Sequence, residues 1–162
     1  MLKAGEQYNH QDGDNVRVVV YDPKAKSFAI VREAKDNDNA WKLPGGNFLT
    51  PRETPTDGAQ REVNEELGIK NIRLLGGVVL DNLKVPGTHR YIFLAVGDKD
   101  QVELSDDTDD PERIVEVGWV KIDEIPDCDH RKHIYDAARH AYGMLAAVSL
   151  EAMMADTFLS IE

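Results

Sequence analysis

The segment from Thr54 to Gly68 carries helix signals at both of its ends, and a helix fixed at both ends limits what the rest of the chain can build. Thr54 is a good N-cap because its hydroxyl accepts a free backbone N–H, and Pro55 suits the first helical position, where no N–H is needed. Asp57 stands where a capping-box acid belongs. Gly68 closes the helix, with Ile69 placed to touch Val63 as in a Schellman ending. Between these ends Ala59, Val63 and Leu67 recur at i, i+4 and form an apolar ridge that anchors the helix to a sheet.

Strands for that sheet are predicted at Val16 to Tyr21 and Phe28 to Val31, joined by the turn-rich Asp22-Pro23-Lys24-Ala25-Lys26. More follow at Ile72 to Leu80, Tyr91 to Val96 and Val115 to Ile122. A short extended piece, Trp41-Lys42-Leu43, meets Pro44-Gly45-Gly46, where glycines permit unusual backbone angles or close approach of a ligand. Residues 1–14 are polar and aperiodic and are expected to form a flexible arm ahead of a single domain at 15–162. From about Asp129 to Phe158 few breakers interrupt an apolar pattern that fits one long helix or two shorter ones. Several strands, a central helix and a terminal helix predict an α/β chain whose sheet is covered on both faces. At 162 residues the chain has room for one such domain and not two.

Charge narrows the ligand. The formal net charge is -11, and no basic cluster exceeds two residues, which argues against nucleic-acid polymers and anionic membranes as partners. An anionic ligand would then need a divalent cation. Cys128 is the only cysteine, so an internal disulfide and a thiolate metal cluster are excluded, and a reducing compartment fits. Met1 to Asn15 lacks the apolar core of a signal peptide, and no stretch approaches the roughly 18 apolar residues of a membrane span, so a cytoplasmic protein is expected.

On a helix turning about 100° per residue, Glu62, Glu65 and Glu66 share one face at i, i+3 and i+4, beside the apolar ridge. Like charges so spaced oppose the helix by roughly 0.2 to 0.5 kcal/mol per pair. Their place in the last two turns adds repulsion from the negative end of the helix dipole. A hard cation would reverse that balance, because it takes oxygen ligands and is commonly shared between carboxylates and substrate phosphates. The alternative is a solvated acidic face.

The residues upstream bear on that choice. Gly45-Gly46, then Glu53, then Arg61-Glu62-Val63-Asn64-Glu65-Glu66-Leu67-Gly68-Ile69 resemble the Nudix box, whose second half reads Arg-Glu-apolar-X-Glu-Glu-X-Gly-apolar after a glutamate eight residues before the arginine. The departure is one extra residue between Gly46 and Glu53, read as an insertion in the loop Phe48 to Arg52. Glu116 to Ile125 also looks like the family's closing strand and turn.

The resemblance implies an α/β/α sandwich with a mixed central sheet and hydrolysis of a phosphoanhydride in a small-molecule diphosphate. That substrate is a nucleoside diphosphate linked to another group, such as ADP-ribose or a nucleotide sugar, or a nucleoside triphosphate. Carried over residue by residue, it makes Glu62, Glu65, Glu66 and the Gly45 carbonyl ligands of Mg2+ or Mn2+, with Glu62 alternatively the base. Glu53 and Arg61 form an orienting ion pair, the alternative being a plain exposed salt bridge. Glu112 and Glu116 are candidates for a further metal carboxylate, with Asp109 and Asp110 behind them, against an ordinary solvated surface. Arg32, Lys42, His89 and Arg90 are candidates for substrate phosphates, Gly46 for close backbone approach and Trp41 for stacking on a base; against these stand solvent-facing charges and a core tryptophan. Val85 to Arg90, with its proline, leans toward nucleoside diphosphate derivatives.

Two constellations lie further on. Asp127, Asp129, His130 and His133 are a weak transition-metal set. Ile134, Ala137, Ala141, Met144, Leu145 and Val148 repeat at helical intervals and either pack on the sheet or form a homodimer interface. Against the hydrolase stands a catalytically silent Nudix-like module that binds a nucleotide or protein, and, third, an isoprenyl diphosphate isomerase, for which Cys128 lacks a matching context.

Overall fold

β-Branched and aromatic runs become strands, and the order in which they pair decides where the helix lands. The computed structural model of the protein describes residues 9–35, 41–82 and 85–121. Its elements are β1 (Asn15–Asp22), β2 (Ser27–Glu33), β3 (Gly45–Asn47), α1 (Pro55–Leu67), β4 (Arg73–Asp81), β5 (His89–Val96) and β6 (Ile114–Val120). The strands form one sheet in the order β4-β5-β1-β2-β6, with β3 attached to β1. β1 runs parallel to β5, and the other pairings are antiparallel, so the sheet is mixed as expected.

β1 and β2 are paired in register at Tyr21↔Phe28 and Asp22↔Ser27 and diverge toward the other end of β1. Residues 42–47 fill the gap. Lys42 exchanges backbone hydrogen bonds with Val31 at 2.8 and 2.9 Å, Val18 donates to the Pro44 carbonyl at 2.8 Å, and Gly45 to Asn47 pair with Arg17 to Asn15. This wedge brings Lys42 and Gly45 together at one end of the sheet.

Val16, Val18 and Val20 on β1, Ala29 and Val31 on β2, and Phe93 and Ala95 on β5 point to one face, where Ala59, Val63, Leu67 and Ile69 cover them. Val19, Ile30, Ile92 and Leu94 on the other face are buried as well. Burial on both faces is why these strands read as continuous apolar runs rather than alternating ones. The α1 ends follow the local chemistry: Thr54 Oγ1 accepts from the Asp57 N–H at 3.1 Å, and Gly68 adopts φ 69° while its N–H bonds the Asn64 carbonyl.

Gly45 and Gly46 are strand residues, and Gly45 lies close against the protein itself: a Cβ there would lie 2.1 Å from the Val16 carbonyl oxygen. One expectation is corrected. Residues 10–14, expected to belong to a flexible arm, are seated: His10 and Asp14 are buried, the His10 N–H donates to the Pro51 carbonyl at 2.8 Å, and Asp14 Oδ1 accepts from the His89 N–H at 2.7 Å. A polar segment packs when its side chains find partners distant in sequence, which composition does not reveal.

The second helical layer expected from about 129 to 158, the apolar stripe from Ile134 to Val148, and Cys128, Asp127, Asp129, His130 and His133 lie outside the described residues. Among the described residues no helix is long and apolar enough to cross a membrane.

Candidate active site

Helix α1 runs over the wedge, so its acidic face looks onto Lys42 and the Gly45-Gly46 strand across a cleft of about 660 Å³. That volume falls in the range typical of small-molecule sites. Gly45, Gly46, Lys42, Arg61, Glu62, Glu65 and Glu66, all expected at the site, line it together. Glu112 and Asp110 line it as well; Asp109 does not.

The acids are held by two cations. Arg61 donates from Nε to Glu53 Oε1 at 2.7 Å and from Nη2 to Glu53 Oε2 at 3.1 Å, a two-pronged pair. Its Nη1 also reaches Glu62 Oε1 at 2.9 Å and Glu65 Oε2 at 3.1 Å, while Nη2 donates to the Asn47 carbonyl at 3.1 Å. Glu53 is further fixed by the Leu49 N–H at 2.9 Å and stands behind Arg61 rather than in the cleft lining. The extra loop residue therefore leaves the Glu53–Arg61 pair intact.

Lys42 is the second cation. Its Nζ bonds Glu33 Oε1, reaches Glu66 Oε1 at 3.1 Å and the Gly45 carbonyl at 3.4 Å. Glu66 Oε2 accepts the Gly45 N–H at 3.0 Å. With Arg61 and Lys42 between them, no three acids among the described residues are gathered closely enough to hold a metal ion in this arrangement.

Burial pushes the Glu66 carboxyl up to about 7, helped by the Glu62 charge and opposed by Lys42, Arg17 and the Gly45 N–H. Burial also raises Glu62, against the pull of Arg61. Glu53 is partly buried, but hydrogen bonds from Arg61 and Leu49 outweigh that and hold it below the usual carboxylate range. Glu33 is similarly lowered, because Lys42 and Lys35 more than offset its burial. One helix thus carries carboxylates that resist ionisation beside partners that do not, a pattern typical of functional sites.

Five expected residues lie elsewhere. Arg32 and Glu116 are cross-strand partners that bond each other at 3.0 Å, and since Val31 faces the helix, Arg32 beside it points to the opposite face. Trp41 sits near Gly118 and Ile30 on that same far face. Arg90 is buried and donates to Asn15 Oδ1 at 2.9 Å; burial, then the Arg17 charge, lowers its guanidinium to about 10. His89 is exposed beside Asp14. None of the five lines the cleft.

Sequence reasoning missed Glu33 and Lys35. Glu33 lies at the end of β2, two residues beyond the helix-facing Val31, so an acid at the end of a core-facing series was the available signal. Lys35 Nζ joins Glu33 at 3.3 Å to Glu112 at 2.9 Å, and all three line the cleft.

The fold and box find relatives. No curated protein sequence matches the chain. Among solved structures, it is similar to an Ap4A hydrolase from C. elegans, at 20% identity and TM-score 0.63 over 83% of this chain and 99% of that one. It is also similar to an ADP-ribose pyrophosphatase from Streptococcus suis, at 22% identity and TM-score 0.54 over 90% of this chain and 95% of that one. A MutT protein from Methanosarcina mazei shows 23% identity and TM-score 0.56 over 89% of this chain and 99% of that one. At such identities the likeness is one of fold. The NUDIX domain family model matches residues 12–141, which takes in every described strand and the whole glutamate helix, and the chain accordingly belongs to the Nudix family of hydrolases.

Proposed function

We propose that this Nudix pyrophosphohydrolase uses water and Mg2+ to split the phosphoanhydride of a nucleoside diphosphate linked to another group, such as ADP-ribose or a nucleotide sugar, or of a nucleoside triphosphate. The observation that carries the reading is the meeting of Glu62, Glu65 and Glu66 with the Gly45-Gly46 strand in one cleft. The donor set fits a hard divalent cation: every candidate ligand is an oxygen, and the missing side chain at Gly46 leaves room for the Glu62 carboxylate. Glu62, Glu65, Glu66 and the Gly45 carbonyl would hold the ion, with Glu112 in reach of the same cleft. When bound, such an ion neutralises diphosphate oxygens and acidifies water.

The chain's own residues do the rest. Glu62 is the alternative base: in that role, rather than as a ligand, it is raised by burial and accepts the proton of the attacking water as the water oxygen bonds to phosphorus and the anhydride P–O bond breaks, releasing a phosphate-containing leaving group. Arg61 fixes Glu62 and Glu65 in place and is itself fixed by Glu53. Lys42 and the backbone of Gly46 face the diphosphate.

A panel of ADP-ribose, nucleotide sugars, dinucleoside polyphosphates and deoxynucleoside triphosphates with Mg2+ tests this. Turnover of at least one class is expected, with loss in Glu66→Gln. Metal-independent ligand binding without turnover of any compound would instead make the chain a silent nucleotide-binding module. Wild-type rates in Glu66→Gln would remove the site assignment.

A further inference from the structure

The Lys42 ammonium has three donors and meets three acceptors: Glu33, Glu66 and the Gly45 carbonyl. Two of those acceptors, Glu66 and Gly45, are oxygens assigned above to a divalent cation, and this inference rests on that assignment. Lys42 is 6% exposed and Glu33 8%, so neither charge is loosely solvated. An ammonium and a divalent cation compete for the same oxygens, because the two positive charges repel strongly where solvent is largely excluded.

The geometry points to an exchange: we propose that Lys42 is the resident counter-ion of Glu66, that a divalent cation displaces it, and that Glu33 keeps the displaced ammonium at the cleft floor. The Lys42 backbone is pinned to Val31 by its paired hydrogen bonds, so only the side chain moves. Glu33 lies on the same strand as Val31 and is held by Lys35 as well. An ammonium transferred wholly to Glu33 remains beside the cleft, where a diphosphate oxygen is its next acceptor. Glu33 is thus a positioning residue and Lys42 a competitor for the metal before it becomes a substrate contact. The pair explains why a buried lysine stands among groups suited to a cation.

Mn2+ binding to the substrate-free protein, measured by electron paramagnetic resonance, tests the exchange without relying on turnover. Lys42→Met is expected to bind Mn2+ about tenfold more tightly than wild type, since one competing charge is gone. Its metal-free melting temperature should fall, and Mn2+ should raise that temperature by more than in wild type. Because the single change leaves Glu33 buried without its main partner, the double variant Lys42→Met/Glu33→Gln removes the pair together and is expected to show the same tighter binding. Glu33→Gln alone should weaken Mn2+ binding, because the ammonium then has only Glu66 and Gly45 to hold.

Equal or weaker Mn2+ binding in both Lys42 variants, with binding lost in Glu66→Gln, would overturn the exchange and leave the metal site standing. Binding in Glu66→Gln equal to wild type would overturn the site assignment and this inference together.

Discussion

A Cβ added to Gly46 would sit 2.6 Å from Oε1 of Glu62, so the glutamate occupies space that any side chain at residue 46 would need. The two residues lie on different elements, β3 and α1, and the contact sets the depth to which the carboxylate enters the cleft.

Gly46→Ala therefore tests whether that depth matters. The atom in the way is the end of a flexible side chain, so the fold should adjust at a cost of about 1 kcal/mol or less. Glu62 must retreat, however, and if it acts as proposed, a displacement near 1 Å can cost on the order of 10²-fold in rate. A large drop in kcat with an almost unchanged melting temperature is the expected result. An unchanged kcat would show that the exact place of Glu62 is unimportant.

Arg61 offers a second test, because its guanidinium binds Glu53 through two nitrogens while also reaching Glu62 and Glu65. Lysine supplies one point charge and no fork, so Arg61→Lys should destabilise by about 1–3 kcal/mol and disturb all three acids at once. With Glu53→Gln as the second change, a double-mutant cycle should give a coupling energy of about 1 kcal/mol or more. Simple additivity in urea melts would mean that the pair is an ordinary surface bridge.

The helix and its anchor were legible because their signals are local. Thr54, Pro55 and Gly68 mark the ends of α1 through capping chemistry within a few residues, and the Glu53–Arg61 pair was expected from the resemblance of both positions to the Nudix box. Glu33 and Lys35 were not legible, since their approach to Lys42 and Glu112 depends on a wedge between β1 and β2 that no local pattern encodes. The same holds for Arg32 and Glu116, which become neighbours only through the β2–β6 register. His10 reaches the Glu53 carbonyl at 2.8 Å from 43 residues away, so a polar arm in the sequence became part of the loop's support.

Acidity gives a third test, with chelator present so that no cation intervenes. Glu66 rises from an unfolded value of 4.5 to about 7, chiefly through burial, so the folded protein holds its proton more tightly than the unfolded chain. Its contribution to stability is full below about pH 4.5 and is lost as pH rises through about 7. Glu53 and Glu33, both lowered, act in the opposite sense: their contributions are present above about 4.5 and lost as pH falls through their folded values. The melting temperature of wild type relative to Glu66→Gln should therefore decline between pH 5 and 8. A flat difference would show that Glu66 ionises normally in the folded protein.

The loop that carries the extra residue is held by Phe48, whose ring stacks on His10 at 3.7 Å and meets Tyr91 edge-on at 5.7 Å. Gly58, inside α1, makes room for it: a Cβ there would lie 2.9 Å from Phe48 Cε1. On helix propensity alone, Gly58→Ala should stabilise by about 1 kcal/mol. Here the ring is confined between two aromatic neighbours and cannot move aside freely, so overpacking costing about 1–3 kcal/mol should win. Gly58→Ala is thus expected to lower the melting temperature. In a Phe48→Ala background, where the ring is gone, the same substitution should raise it. That reversal of sign would tie the loop's position to the contact between Gly58 and Phe48, and a stabilising Gly58→Ala in the wild-type background would show that the ring yields.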